Sequence, residues 1–387
     1  MKKRKSNLIF AAVMIVFCGL LCLIPEQHQT VYSTLPRVQV RIDAVNNDEL
    51  ITIGIVYTGT QTCDVTVLTG EYKGRKTTAT NYMNAALDKD KLFTEGDIGY
   101  ALIQGTTDGF FVTLIDHYRG NTELWIIAAL SVGLIAFGGI VGCGALISLA
   151  ASTIIIWKLL IPLLLDMVNP ILASFVTVVV LTVLIDLLVA GFTRRCAVAL
   201  LGSLSGTVIT CVLAVVFSNW LKLDGGDIPY LVPLISQSSL QLDPRGLFIG
   251  MMFIANSGAV MDLSMDIAVS CQEVQAHSCD ISRRALFKSG REIGRGVLGT
   301  MATTLMLAYS GNYLSMLMYF AGQGTPPGDI INLKYVSSQL LNTLVGSFGL
   351  VATAPLTAVI ASVMYVPVKH KAAKDITATI ETSSIKS

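Results

Sequence analysis

Charge is what this sequence has least of. Only 14% of its 387 residues are Asp, Glu, Lys or Arg, against about 25% in a soluble domain. The deficit falls after Leu124, where long apolar runs are broken by short polar stretches. That excludes an ordinary soluble domain and predicts a polytopic membrane protein whose first partner is the lipid bilayer. A formal net charge of +1 says little about partners, and nothing in the sequence points to nucleic acid. Histidine is scarce: all four lie outside the apolar runs or at their edges, so Ser257 has no membrane histidine as a base. No Walker A sequence is present, so this chain does not itself use ATP. Cys271, His277 and Cys279 match no common zinc spacing. No catalytic residue, metal or cofactor is therefore expected.

Lys2, Lys3, Arg4 and Lys5 precede an apolar run from Leu8 to Ile24. With no small-x-small cleavage site close behind, residues 1–24 read as an uncleaved N-terminal anchor. Residues 25–123 change character. Val38–Ile42, Ile51–Val56, Asp64–Leu68, Arg75–Thr80 and Gly109–Leu114 are β-branched, alternating stretches punctuated by glycines. About five short strands in about 90 residues suit a small β domain, a barrel of the OB type. Glu71–Lys76 reads as a solvated hairpin. Cys63 is the only cysteine in this segment and has no obvious partner within the chain.

The membrane domain, 124–368, reads as seven further helices: Leu124–Val141, Cys143–Leu165, Ile171–Ala190, Ala197–Leu221, Gly246–Ser264, Gly296–Phe320 and Leu340–Val366. Lysine and arginine placement orients them. An N-in start puts Arg194, Arg195, the block Arg283–Arg295 and the tail lysines Lys369, Lys371 and Lys374 in the cytoplasm. The reading is thus an α-helical polytopic protein of about eight transmembrane helices, both termini inside. Residues 25–123 lie outside the cell membrane, and 369–387 form a disordered cytoplasmic tail.

Polar residues inside the apolar runs are the candidates for function. Asn256-Ser257-Gly258 either breaks its helix, exposing backbone groups to a cargo as transporters do, or packs small residues against a neighbour. Asp262 and Asp266, one turn apart, share a helix face. They form a gate or a helix lock opposite Arg291 and Arg295, or an ion-coupled site. Thr303 and Thr304 on the next helix hydrogen-bond between helices or face the same path. Asp186 is read as pairing with Arg194 or Arg195.

These residues carry a resemblance. Gly70–Gly74 with Asn81, Gly258–Asp266, Gly299–Tyr309, and Leu344–Leu350 with Pro355–Thr357 together make the chain resemble the YibE/F family of bacterial integral membrane proteins. The resemblance runs from about Val38 to Val366. It implies an N-terminal anchor, a small outer domain and a multi-helix membrane region, in proteins often described as permeases. It supplies no substrate and no catalytic residue. Where the family carries a Glu and an Arg ahead of Val-Gly-Ser, this chain has Gln339 and Asn342, so a mechanism built on that charged pair is in doubt here.

The leading expectation is a permease or secondary transporter of an unknown small molecule or ion, with a path past Asn256, Ser257, Gly258, Asp262, Thr303 and Thr304. The alternatives are an assembly subunit whose β domain binds an envelope protein or a second copy of the chain, and an intramembrane hydrolase using an Asp186/Asp262 dyad or Ser257.

Overall fold

The computed structural model describes residues 2–23, 35–106, 109–237, 242–278, 280–311 and 313–366. Cys279 and the tail 369–387 lie outside them. The chain divides into two compact units, Pro25–Ala136 and Met1–Ile24 with Phe137–Ser387.

The first unit holds a closed five-stranded barrel: β1 (Arg37–Ile53), β2 (Val56–Val67), β3 (Lys76–Asn84), β4 (Ile98–Thr106) and β5 (Gly109–His117). The order around the barrel is β1-β2-β3-β5-β4, with β3 and β5 parallel and every other pair antiparallel. Alternate residues point inward as the pleat requires: Val38, Val40 and Ile42 from β1, Cys63, Val65 and Val67 from β2, and Ala101, Ile103, Val112 and Leu114 opposite. Each fully buried Val, Leu or Ile contributes about 1.5–3 kcal/mol.

The strands differ from the sequence reading in two respects. Val38–Ile42 and Ile51–Val56 are not separate strands. They are the body of β1 and the β1–β2 hairpin, which turns at Gly54 with φ +63°. Register shifts at Ile42/Ala44 and Asn46/Glu49 interrupt the alternation between them. The missing strand is β4, whose Gly99, Ala101 and Gly105 blur its pattern.

A buried amide pair ties the long β3–β4 connection to the barrel wall. Gln61 and Asn81 are fully buried. Asn81 donates to Gln61 Oε1 (3.0 Å) and the Lys91 carbonyl (2.7 Å). Gln61 donates to the Phe93 carbonyl (3.0 Å) and accepts from the Phe93 N–H (3.0 Å). Gln61→Leu strands these partners, and each unmatched buried group costs about 1–3 kcal/mol. The expected result is faster amide hydrogen exchange across 85–97. Cys63 is also fully buried, and burial pushes its thiol up to about 11. A maleimide at neutral pH is expected to leave it unlabelled until the barrel unfolds.

In the second unit, α1 (Lys2–Leu23) packs Met14 and Cys18 against Ala151, Ile155, Leu181, Leu184 and Leu188. The next helix, α2 (Gly120–Ile155), belongs to the first unit up to Ala136 and to the second from Phe137; it kinks at Gly139 (φ +54°) and continues through a π turn, Ile156–Leu160, into α3 (Ile161–Leu165). Then follow α4 (Pro170–Ala190), α5 (Arg194–Trp220), α6 (Leu231–Gln237), α7 (Pro244–His277), α8 (Arg283–Gly311), α9 (Leu314–Gly322), α10 (Pro327–Asn332) and α11 (Lys334–Tyr365).

Five helical stretches among the described residues are long and apolar enough to cross a membrane: Gly120–Leu165, α4, α5, α7 and α11. Their starts are written locally. Asn169 caps α4 ahead of Pro170, Thr193 caps α5, and Asp243 caps α7 ahead of Pro244. Each cap is worth about 1 kcal/mol.

Contacts fix the relative directions. Pro170 and Ser174 lie against Gly246 and Gly250, so α4 runs parallel to α7. Asn342 meets Asn256, Thr357 meets Ser264 and Tyr365 meets Ala268, so α11 is parallel too. Gly202 and Gly206 of α5 face Thr357 and Thr353, and Gly290 and Gly294 of α8 face Ala358 and Ala354, so these two helices run the other way. Arg194, Arg195, Arg283 and Val366 therefore share one end of the bundle, with Arg283 Nε donating to the Val366 carbonyl at 2.8 Å. Helices in lipid gain no hydrophobic drive from meeting one another, so close approach through small residues carries their packing. Here glycines on one helix receive threonine hydroxyls or alanine methyls from the next.

Three parts of the bundle depart from the reading. Leu124–Val141 and Cys143–Leu165 are not separate helices but one helical stretch, Gly120–Leu165, kinked at Gly139. The one placed at Gly296–Phe320 begins at Arg283 and ends at Gly311, because Gly290 and Gly294 dock on α7 and α11 while the charges face outward. The one placed at Gly246–Ser264 continues to His277.

Candidate functional site

Of the two readings of Asn256-Ser257-Gly258, the helix break does not occur; α7 is continuous through it. Asn256 is instead a fully buried hub. Its amide donates to the Met252 carbonyl (2.7 Å) and to Asn342 Oδ1 (2.9 Å), and its oxygen accepts from the Tyr309 hydroxyl (3.1 Å). One side chain thus joins α7, α8 and α11. A Cβ on Gly346 would overlap the Asn256 amide, so that glycine is the floor of the hub. Ser257 donates to the Ile254 carbonyl on its own helix (2.7 Å).

Gly258, Asp262 and Asp266 lie on a different face of α7, spaced by one turn and exposed. A Cβ on Gly258 would meet nothing within 4 Å. Thr303 and Thr304 are exposed on α8 and donate to the Gly299 and Thr300 carbonyls, at 2.9 Å each. Arg295 pairs with Glu292 at 2.9 Å and Arg291 approaches the same carboxylate at 3.8 Å. The structure thus pairs both arginines with Glu292 rather than with Asp262 or Asp266. The candidate residues are not one site but a buried hub and an open stripe.

The residue that sequence reasoning undervalued is Asp186. It is only 2% exposed, and among the described residues it is the one charged side chain in the buried set. Its Oδ2 has no hydrogen-bond partner, and no ion pair joins it to Arg194 or Arg195 among the described residues. Its electrostatic neighbour is Asp262. Parallel packing explains this. With Pro170 and Ser174 against Gly246 and Gly250, three further turns along both helices bring Asp186 level with Asp262.

Three buried serine and threonine hydroxyls of the bundle are orphaned as well, Ser203 Oγ and Thr207 Oγ1 of α5 and Ser338 Oγ of α11. Ser203 lies between Gly202 and Gly206. Those glycines stand opposite the Val260–Ser264 stretch of α7, Gly206 touching Val260 and Gly202 reaching it through Thr357. The contrast with their neighbours is sharp. Thr177, Thr182, Thr210, Thr353 and Thr357 all donate to the carbonyl four residues back, at 2.7–2.9 Å. Sequence offered one signal for Asp186: a single charge in an otherwise apolar run of α4. The nearby arginines concealed it, but Gly191 ends α4 before them.

At the opposite end of the bundle, Lys334 pairs with Asp224 and holds its carboxyl below the usual range. No three His, Cys, Asp or Glu side chains among the described residues could share a metal ion.

The model of the family described as YibE/F-like protein matches residues 126–367. The chain belongs to that family. The match covers all the helices whose contacts are described above except α1. No curated protein and no solved structure matches this YibE/F-like chain.

Proposed function

We propose that this YibE/F-like protein is a multi-pass permease of the bacterial cell membrane, a secondary transporter whose coupling group is Asp186. The observation that carries the reading is a buried carboxylate with no partner in an apolar bundle, beside a second carboxylate on the open face. An ionised group in that setting costs several kcal/mol unless something binds it, and intramembrane carboxylates of this kind mark ion or proton paths. Asp262 and Asp266 form the mouth of the path. Asn256 serves as its rigid wall, and Thr303 and Thr304 stand on the neighbouring helix. The cargo is a small molecule or ion.

In this reading about eight spans cross the bilayer, the stretch Gly120–Leu165 supplying two, one on each side of the Gly139 kink. Both termini lie inside and the barrel, whose strand order suits the OB type, lies outside. Support comes from the shared end of Arg194, Arg195 and Arg283. A cysteine placed at Glu71 is expected to label with an impermeant maleimide on intact spheroplasts; labelling only after lysis would invert the topology. The function is tested by comparing the solutes of cytosol and medium for cells expressing wild type or Asp186→Asn. A solute whose partition follows the wild type alone supports a permease; identical profiles contradict it.

One observation favours a second reading, an assembly subunit or homo-oligomer. The β1–β2 hairpin carries Ile51, Ile53 and Ile55 at 63%, 57% and 78% exposure, an apolar tip suited to a partner surface. Crosslinking from this tip that recovers one envelope protein would support it.

A further inference from the structure

We infer that the tip of the β1–β2 hairpin docks on the lipid bilayer and holds the barrel to the membrane at a second point besides α2. The tip, residues 50–57, reads Leu-Ile-Thr-Ile-Gly-Ile-Val-Tyr and carries no charge. Ile51, Ile53 and Ile55 stand exposed on it. Ile51 and Ile53 alternate onto one face of the ribbon. Val56, the cross-strand partner of Ile53, shares that face, and Ile55 lies at the turn. The hairpin 70–76 between β2 and β3 has the opposite chemistry: Glu71, Lys73, Arg75 and Lys76 are all exposed.

Strand direction puts these two hairpins at opposite ends of the barrel, the apolar one beside the membrane. Gly99 pairs with His117, Arg41 pairs with Ile98, and β3 runs parallel to β5. The ends of β3 and β5, the start of β4 and the far half of β1 therefore share one end. α2 starts at that end, three residues after His117, in the same compact unit as the strands. From Leu124 to Trp157 the helical stretch has no charge. Leu124, Trp125, Ile126 and Ile127 are each more than 60% exposed, and a tryptophan at such a start marks the membrane interface.

The distances match. Three extended and four helical positions carry the chain from His117 to Leu124, about 16 Å at most. β1 runs twelve residues past its pair with Ile98 to reach Ile53. On the other strand, Ile55 lies three residues beyond Thr58, the partner of the last residue of β3, Asn84, an overhang of about 10 Å. The contact is shallow. A two-stranded ribbon leaves N–H and C=O groups unpaired along its outer edges, which the hydrocarbon core does not accept. Asp48 and Glu49 behind the tip, and the charged connection 85–97 at the same end of the barrel, stop the barrel at the headgroups. The isoleucines reach the boundary between headgroups and acyl chains. This rests on Gly120–Leu165 lying in the bilayer and holds whether or not the bundle moves a solute. It gives to lipid the surface that an assembly partner or a second copy would otherwise cover.

The test places the photocrosslinker p-benzoylphenylalanine at Ile53 of the full-length protein, with Lys73 as the control position, and irradiates native membranes. Mass spectrometry is expected to show a phospholipid adduct at position 53 and none at position 73. Ile51→Ser combined with Ile55→Ser should lower the adduct several-fold. Both changes lie on the exposed ribbon and leave the barrel core untouched, which an unlabelled Cys63 verifies. A crosslink from position 53 to a second copy or to an envelope protein, in place of lipid, would overturn the inference and favour the assembly reading. No adduct at position 53, equal lipid adducts at both positions, or an adduct indifferent to the two serines would overturn it as well.

Discussion

Asp186→Leu is expected to make the protein more stable and inactive at once. The carboxyl is buried without a partner, and leaving a polar group in that state costs about 1–3 kcal/mol. A leucine of similar size removes that penalty and adds apolar contact within α4. In salt without a stabilising cation, the variant should therefore unfold later than the wild type by that amount, while its solute phenotype disappears. A purely structural Asp186, holding a hidden partner, predicts the opposite: breaking a buried pair destabilises by several kcal/mol. Thermal unfolding and a solute profile on the same variant separate the two.

Gly346→Val is expected to give the largest loss of stability in the bundle. Even the first carbon of a side chain there overlaps the Asn256 amide. To fit, α11 must move off α7, or Asn256 must leave Tyr309 and Asn342 without partners. Overpacking costs about 1–3 kcal/mol, and each stranded buried polar group a further 1–3 kcal/mol or so. The expected total, about 3–5 kcal/mol, should appear as a large fall in folded yield on size exclusion. Gly258→Val, two positions beyond Asn256 but facing open space, should leave yield close to wild type. Equal losses at the two glycines would contradict the hub.

Much of this architecture is legible in the residues. The spans Pro170–Ala190 and Arg194–Trp220 are continuous apolar runs, each preceded by a capping residue, and such local signals survive in any tertiary context. The start of α8 was not legible, because Arg283–Arg295 is too charged to read as part of a membrane helix. Only its packing partners show that Gly290 and Gly294 are its buried face. Strand β4 hid behind its glycines, and β1 behind its bulges.

The site divides in the same way. That Asp262 and Asp266 share a face follows from the helix period alone. Asn256 as a hub, and Asp186 as an orphan beside Asp262, depend on which helices lie side by side and in which direction. Arg194 stands eight positions after Asp186 in sequence, yet the chain leaves the helix between them at Gly191. Proximity in sequence suggested a pair that the fold does not make.

The central claim is that Asp186 binds the ion that drives a transport cycle. The most direct measurement is the charge displaced when wild-type and Asp186→Asn protein, reconstituted in proteoliposomes on a solid-supported membrane, meet a rapid jump in the concentration of protons or of an alkali cation. The account predicts a transient current from the wild type that saturates with one of these ions and is absent from Asp186→Asn. An identical transient from both proteins, or none from either, would contradict it.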